Sequence, residues 1–233
     1  RPTDPHPVML GSLLPPPGVK PLNFSPGPAS LAAEVEARVK ALFDAPRMCS
    51  MYLSHRSLEF VDILNRTVQH CREAMAIPEQ YEILFTHGGG HGQFAAVPLN
   101  LCPRGDEKAT YLVNGTWSQR AVSEARKYCT PIVVSSENPD GTFTRNPSFD
   151  GLDPESKYVY LCSNETVNGI EMHALPKLSI QAPLVVDASS DFSTKPIDWV
   201  GCNVGVLFAC ASKNLGHPGV TLCVIRKDLL GTP

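Results

Sequence analysis

Hydrophobic and polar residues alternate along this chain with two different periods. Short apolar runs, bounded by glycine, proline or polar residues, recur from residue 82 onward. Between several of them lie segments in which apolar positions return with helical spacing. The short runs are typical of strands that are buried on both faces. The sequence predicts such strands at residues 82–86, 109–114, 132–134, 158–162, 184–187, 205–209 and 222–226.

The helical segments predict four helices. The first spans residues 30–43, and the second begins after Ser57, which can cap it, and ends before Pro78. The other two follow strands directly, at residues 92–101 and 117–128. This alternation predicts an α/β fold, with a mostly parallel sheet and helices on both faces. In such sheets ligands bind beyond the carboxyl ends of the strands.

Two charged residues follow predicted strands in positions that suit cofactor chemistry. Lys213 lies just after the apolar run at residues 204–208, and Asp187 ends the run at residues 184–187. Partial burial disfavours the charged form of an amine, which makes such a lysine a candidate nucleophile. Pyridoxal phosphate chemistry requires an amine that binds the cofactor and a carboxylate that keeps its ring nitrogen protonated. The pair predicts that chemistry, although a solvated lysine is the commoner case.

Residues 87–92, His-Gly-Gly-Gly-His-Gly, connect a predicted strand to a predicted helix. The N–H groups that start a helix bind anionic phosphate, helped by the helix dipole. The run is not a P-loop, and Gln93 stands where a dinucleotide fingerprint needs its third glycine. A tight strand–helix turn is an equally good interpretation. A metal site on His87 and His91 is disfavoured, because the intervening glycines oppose a helix between them.

Three further groups lie next to predicted strand or helix ends. Trp117 could stack on a planar cofactor, although such a tryptophan is more often part of a core edge. Residues 163–166, Ser-Asn-Glu-Thr, carry hydrogen-bonding side chains, and turn formation is favoured there over ligand binding. His55 and Arg56 place two cationic groups before Ser57. An arginine suits a carboxylate or a phosphate, although a surface arginine is commoner.

The composition of the 233-residue chain narrows the classes of function. A hydrophobic fraction of 42% and a charged fraction of 18% are typical of a globular protein with a core. A net charge of −3 and a pI of about 6.2 argue against a nucleic-acid partner, and no apolar run is long enough to span a bilayer. The eight cysteines form no Cys-x-x-Cys pair. They predict free thiols in a reducing intracellular compartment, cytoplasmic or organellar.

The two ends of the chain differ from its middle. Residues 1–21 are rich in proline and begin with Arg1, which predicts an extended or processed arm outside the core. Residues 22–233 are expected to form one large domain that binds the cofactor.

Several blocks of sequence, all in one order, make the chain resemble the phosphoserine aminotransferases. These are pyridoxal phosphate enzymes of class V and fold type I. The resemblance runs from Leu22 to Gly231. The blocks that carry it are Asn23-Phe24-Ser25-Pro26-Gly27-Pro28-Ala29, Ser54-His55-Arg56, His87-Gly88-Gly89-Gly90, residues 92–98, residues 125–131, Asn164-Glu165-Thr166, Asp187 and Lys213-Asn214-Leu215-Gly216.

The resemblance implies pyridoxal 5'-phosphate as the cofactor. Lys213 would carry the cofactor and move a proton between it and the substrate α-carbon, and Asp187 would pair with the ring nitrogen. The other cofactor contacts it implies are stacking by Trp117, a bond from Thr166 to the ring hydroxyl, and phosphate contacts from the amide of Gly90, with His91 and Ser212 on the same side.

The resemblance also implies a substrate and an assembly. Arg56 would bind the substrate carboxylate, and His55 would approach the phosphate of phosphoserine. The implied reaction of serine biosynthesis moves an amino group between glutamate and 3-phosphohydroxypyruvate, giving 2-oxoglutarate and O-phosphoserine. The expected assembly is a homodimer with the active site at its interface.

Three departures from the family pattern favour an alternative. His91 stands where the family usually has arginine, and Ser212 where it usually has glutamine. The smaller C-terminal domain of the family is expected to be absent from this chain. The alternative is a truncated or degenerate relative that acts as a structural subunit of a larger assembly without catalysis. The enzyme is the preferred interpretation.

Overall fold

The structure of the chain is a computed structural model, which describes residues 27–45 and 49–231. The predicted arm at residues 1–21 lies outside the described residues. Within the described part the helices are α1 (Ala33–Asp44), α2 (Leu58–Ala74), α3 (Gly89–Leu101) and α4 (Thr116–Ala125). The strands are β1 (Tyr81–Thr86), β2 (Lys108–Val113), β3 (Thr130–Ser135), β4 (Val159–Cys162), β5 (Asn164–Glu165), β6 (Ile170–Glu171), β7 (Leu184–Asp187), β8 (Val204–Cys210) and β9 (Thr221–Arg226).

Seven strands form the central sheet, in the order β1-β9-β8-β7-β4-β2-β3. Strands β8, β7, β4, β2 and β3 run parallel to one another. Strand β9 is antiparallel to both of its neighbours, β1 and β8. The predicted mostly parallel sheet is confirmed, and every strand predicted from the apolar runs lies in it.

The pleat of the sheet sends alternate side chains into two cores, one on each face. In β4, Val159 belongs to one core and Tyr160 to the other. Helices α3 and α4 cover the face of Tyr160, through residues such as Phe94 and Val122. Helix α2 packs against the opposite face through Val68. Helices on both faces of the sheet are therefore confirmed, as the alternation of strands and helices predicts.

Helix starts depend on local chemistry that the apolar period does not report. Helix α3 begins at Gly89 and not at the predicted residue 92, because Gly88 adopts a left-handed conformation (φ 94°) that residues with side chains rarely take. The predicted cap of α2 is confirmed, since Ser57 Oγ accepts a hydrogen bond from the Phe60 N–H at 3.2 Å. Helix α1 buries none of its side chains.

The antiparallel hairpin of β5 and β6 is absent from the sequence prediction. Each of its strands is two residues long, too short to show a period. Residues 163–166 leave β4 and enter this hairpin, so the predicted turn is part of a small structured unit. The hairpin lies next to the carboxyl end of β4.

The carboxyl ends of the parallel strands share one edge of the sheet. Strand β4 ends at Cys162, β7 at Asp187 and β8 at Cys210. Helices α3 and α4 begin at the same edge, because each follows a strand that points there. None of the helices in residues 27–45 and 49–231 combines the length and apolar character that crossing a membrane would require.

Candidate active site

A pocket opens at this edge of the sheet, with a cavity of about 180 Å³. Its wall combines the start of α3, the start of α4, the β5 region, the end of β7 and the turn after β8. It contains every residue that the sequence predicts at the cofactor: Gly90, His91, Trp117, Thr166, Asp187, Ser212 and Lys213. His55 and Arg56 are exposed and are not among the residues that line it.

Asp187 supplies a buried carboxylate at the end of β7, with only 5% of the residue exposed. Its Oδ1 accepts a hydrogen bond from the Ser189 N–H at 3.0 Å, and its Oδ2 accepts one from the Tyr160 hydroxyl at 3.4 Å. Burial raises the pKa of Asp187 to about 6, because few groups replace the lost water around the charge. A desolvated carboxylate of this kind binds a cation tightly.

Tyr160 holds the second oxygen of Asp187 in place. The ring is buried in the core beneath the pocket, and burial raises the pKa of Tyr160 well above its ordinary value. The hydroxyl therefore keeps its proton and donates a hydrogen bond to the carboxylate. The sequence does not predict this role, because Tyr160 lies within an apolar run that predicts a core residue.

Replacing Tyr160 by phenylalanine should raise the pKa of Asp187 further above about 6. The hydroxyl favours the charged carboxylate, and phenylalanine keeps the ring but not the donor. A pH titration of the Asp187 side-chain carbon by NMR, in cofactor-free protein, measures the shift. Tyr128→Phe is the matched control, since Tyr128 bonds Glu124 at the other end of α4. An Asp187 pKa that stays in place in Tyr160→Phe would contradict this role.

Lys213 lies half-buried in the turn that follows β8. The segment at residues 27–29 crosses it, and the Ala29 N–H donates a hydrogen bond to the Ser212 carbonyl at 3.0 Å. A side chain at Gly27 would overlap Lys213 Nζ, so this glycine leaves room for the amine. Gly27 belongs to one of the blocks that carry the family resemblance, but its contact with Lys213 follows only from the tertiary structure.

The start of α3 forms the end of the pocket that is best suited to bind an anion. The first N–H groups of a helix have no partner within it and carry the positive end of its dipole. A Cβ at Gly90 would lie 3.7 Å from Ser189 Oγ, so the chain passes close to the β7 loop. Ser212 Oγ lies on the same side and is 3.9 Å from Cys210 Sγ. His91 is exposed at the rim, with its ring centroid 6.1 Å from that of Trp117.

Trp117 and Thr166 form the side wall. The indole Nε1–H of Trp117 donates a hydrogen bond to Thr166 Oγ1 at 3.1 Å. The guanidinium carbon of Arg120 lies 4.8 Å from the indole ring centroid, which places a cation on the ring. The sequence is consistent with either a stacking role or a core-edge position for Trp117. The structure places its half-buried ring in the pocket wall.

Comparison with known proteins places this geometry in a family. The family described as aminotransferase class-V matches residues 22–232. The chain belongs to the class-V aminotransferase family. The phosphoserine aminotransferase of Albidiferax ferrireducens is 44% identical to this class-V aminotransferase chain over 224 residues, which cover 91% of the chain and 60% of the relative.

Two solved structures share the fold of this class-V aminotransferase chain. One is the phosphoserine aminotransferase of Trichomonas vaginalis with bound pyridoxal phosphate, with a TM-score of 0.80 and 35% identity over 91% of this chain and 59% of that chain. The other is the enzyme of Bacillus circulans subsp. alkalophilus, with a TM-score of 0.81 and 33% identity over 90% and 58%. The resemblance to phosphoserine aminotransferases is confirmed. The chain spans about 60% of the length of the relative from Albidiferax.

The class-V aminotransferase pocket also has wall residues that sequence reasoning missed. They are Phe94, Cys162, Ser189, Ser190 and Cys210. Cys162 and Cys210 end β4 and β8, and Ser189 and Ser190 lie within three residues of the end of β7, so the rule that ligands gather at strand ends could have found these four. In the part of the chain that the structure describes, no group of three or more His, Cys, Asp or Glu side chains is placed to hold a metal ion.

Proposed function

We propose that this chain is the cofactor-binding part of a phosphoserine aminotransferase. The reaction moves the amino group from glutamate to 3-phosphohydroxypyruvate. Its products are 2-oxoglutarate and O-phosphoserine. The observation that carries the proposal is the meeting of Lys213 and Asp187 in one pocket, at the ends of the adjacent strands β7 and β8. The 44% identity to a named phosphoserine aminotransferase supports the choice of substrates.

The pocket suits pyridoxal 5'-phosphate through the chemistry of its wall. It offers a buried carboxylate for a ring-nitrogen cation, an amine for the aldehyde carbon, and a helix start for the phosphate. When bound, the cofactor supplies a ring that accepts electrons from the substrate α-carbon. Asp187 keeps the ring nitrogen protonated, because a desolvated carboxylate gains most from a nearby positive charge.

Lys213 has two tasks in this proposal. Its Nζ would hold the cofactor through the aldehyde carbon, and the same Nζ would serve as the base for the proton of the substrate α-carbon. Trp117 stacks on the ring, and Thr166 bonds the ring hydroxyl. The amide of Gly90, the His91 ring and Ser212 Oγ bind the phosphate. His91 offers the phosphate a single imidazole where an arginine would offer a permanent, forked cation, which weakens phosphate binding.

The substrate groups and the assembly form the next part of the proposal. His55 and Arg56 bind the phosphate and the carboxylate of the substrate, and their exposure leaves both accessible from solvent. A homodimer is inferred, and the exposed apolar side chains of Val39 and Phe43 on α1 support a protein partner at that helix. The non-catalytic alternative has no support in the comparisons, since the relatives are named as aminotransferases.

We infer a reducing intracellular compartment for the protein. All eight cysteines are free thiols in the structure, and most of them are buried. Thiols in such number persist unpaired where glutathione and thioredoxin keep them reduced.

Addition of pyridoxal phosphate to the purified chain should produce visible absorbance, and borohydride should remove that absorbance while leaving the cofactor covalently attached. Glutamate should then release 2-oxoglutarate in a single turnover, and 3-phosphohydroxypyruvate should restore the starting spectrum, because both half-reactions use the same Lys213 and Asp187. Pyruvate in place of 3-phosphohydroxypyruvate is the control for substrate choice. Covalent attachment without either half-reaction would remove the proposed activity of this chain but keep its cofactor. A protein that stays colourless and unmodified would overturn both.

A further inference from the structure

Glu165 is a fully buried carboxylate next to the pocket, with 0% of the residue exposed. Its Oε2 accepts a hydrogen bond from the Trp117 N–H at 2.8 Å. Its Oε1 accepts bonds from the Ser118 N–H at 2.6 Å and from Ser118 Oγ at 2.7 Å. A buried charge is costly unless it is hydrogen-bonded, and each oxygen of Glu165 is. The carboxylate of β5 therefore closes the start of α4, which is 47 residues away along the chain.

Helix α4 needs this carboxylate because it has no side-chain cap of its own. The residue before it is Gly115, which has no oxygen to offer the first N–H groups. A Cβ on Gly115 would lie 2.7 Å from Glu165 Cδ, closer than atoms pack, so the glycine makes the approach possible. Asn168 adds a second contact between this region and the start of α4, since its Oδ1 accepts a hydrogen bond from the Thr116 N–H at 2.9 Å.

Trp117 and Thr166, which lie next to this contact between Glu165 and α4, both line the pocket. The Trp117 backbone N–H donates a hydrogen bond to the Glu165 carboxylate, and Thr166 follows Glu165 directly in the chain. Their side chains meet in the hydrogen bond from Trp117 Nε1 to Thr166 Oγ1, although the two residues are 49 positions apart. Glu165 thus fixes both ends of the contact, one through the main chain of α4 and the other through the main chain of β5.

We propose that Glu165 is a positioning residue, whose buried carboxylate locks Trp117 and Thr166 into one wall of the pocket. The inference rests on the proposed function only in giving these two side chains the cofactor ring as their target. The geometry itself belongs to the cofactor-free protein.

The charge of Glu165 also acts on the pocket. It contributes, after burial, to raising the pKa of Asp187, and it acts in the same direction on the pKa values of Tyr160 and Cys162. A second buried negative charge near Asp187 adds to the attraction for a cationic ring. A cap on a helix remote from the pocket carries no such charge, so the pKa of Asp187 separates a change at the pocket from a general loss of stability.

The test uses Glu165→Gln, with Ser57→Ala as a matched control that removes the cap of a remote helix, α2. The chain has two tryptophans, so the indole N–H spectrum holds one signal for Trp117 and an internal reference from Trp199, which bonds the Met75 carbonyl. In cofactor-free protein, Glu165→Gln should shift the Trp117 signal but not the Trp199 signal, and should lower the pKa of Asp187. Pyridoxal phosphate should bind about tenfold more weakly, as expected for one lost charge-assisted hydrogen bond.

The control defines the contrary outcome. Ser57→Ala should lower the melting temperature and leave the Trp117 signal, the Asp187 pKa and cofactor binding unchanged. If Glu165→Gln behaves in the same way, Glu165 is a helix cap only and the proposal fails. Should Glu165→Gln not fold, Ser118→Ala removes one of the three hydrogen bonds and should shift the Trp117 signal by a smaller amount. An unmoved signal there also overturns the proposal.

Failure of the proposed function would look different. If wild-type protein binds no pyridoxal phosphate, the Trp117 signal and the Asp187 titration still report on Glu165, since both are measured without cofactor. A shift in these two readouts together with absent binding would preserve the positioning role and discard the cofactor.

Discussion

Replacing Lys213 by alanine is expected to abolish covalent attachment of pyridoxal phosphate and to slow release of 2-oxoglutarate from glutamate by about a thousandfold or more. In the proposed function, the variant loses both the amine that would carry the cofactor and the base for the α-proton. The pocket keeps its carboxylate and its helix start, so the cofactor should still bind reversibly. Borohydride treatment followed by intact mass measurement detects the attachment, and single-turnover kinetics give the rate.

The matched control for this experiment is Lys177→Ala. Lys177 is an exposed lysine whose Nζ lies 3.5 Å from Asp198, away from the pocket wall. Its loss should change neither the added mass nor the rate. Continued attachment in Lys213→Ala would mean that another amine carries the cofactor, and the assignment of the site would be wrong.

Replacing Asp187 by asparagine should lower the rate of amino-group transfer by about a hundredfold, the scale of losing one partner of a buried ion pair. The amide has nearly the same shape but carries no charge, so the ring nitrogen loses the group that keeps it protonated. Asp62→Asn on α2, where the carboxylate is exposed and pairs with Arg66, is the control. A rate that survives in Asp187→Asn would show that the buried carboxylate has no part in the chemistry.

The same substitution should also remove a pH dependence from the stability of the cofactor-free protein. The pKa of Asp187 is about 6 in the folded chain against an ordinary value of 3.8, so the folded state binds this proton more tightly. The free energy of unfolding should therefore rise as the pH falls from about 6 to about 4, and the cost of burying the charge is fully present above that range. Asp187→Asn should lack this rise, which chemical unfolding at several pH values measures.

The sequence predicts the strands of the central sheet because each one is buried on both faces and shows a continuous apolar run. It predicts Lys213 and Asp187 for the same reason, since both follow such runs at the edge where ligands collect. It does not predict the β5–β6 hairpin, because strands of two residues have no period. The sequence also does not decide whether His55 and Arg56 are surface cations or ligand-binding residues. In the structure both are exposed, and neither lines the pocket.

The sequence by itself determined the α/β class, the strand order in the chain and the two groups that suit pyridoxal phosphate, because burial and period are local properties of a segment. Only the tertiary structure decided how residues distant in the chain meet: Glu165 at the start of α4, Tyr160 beneath Asp187 and Gly27 against Lys213. These contacts depend on where the strand ends converge in space. No pattern within a single segment records that convergence.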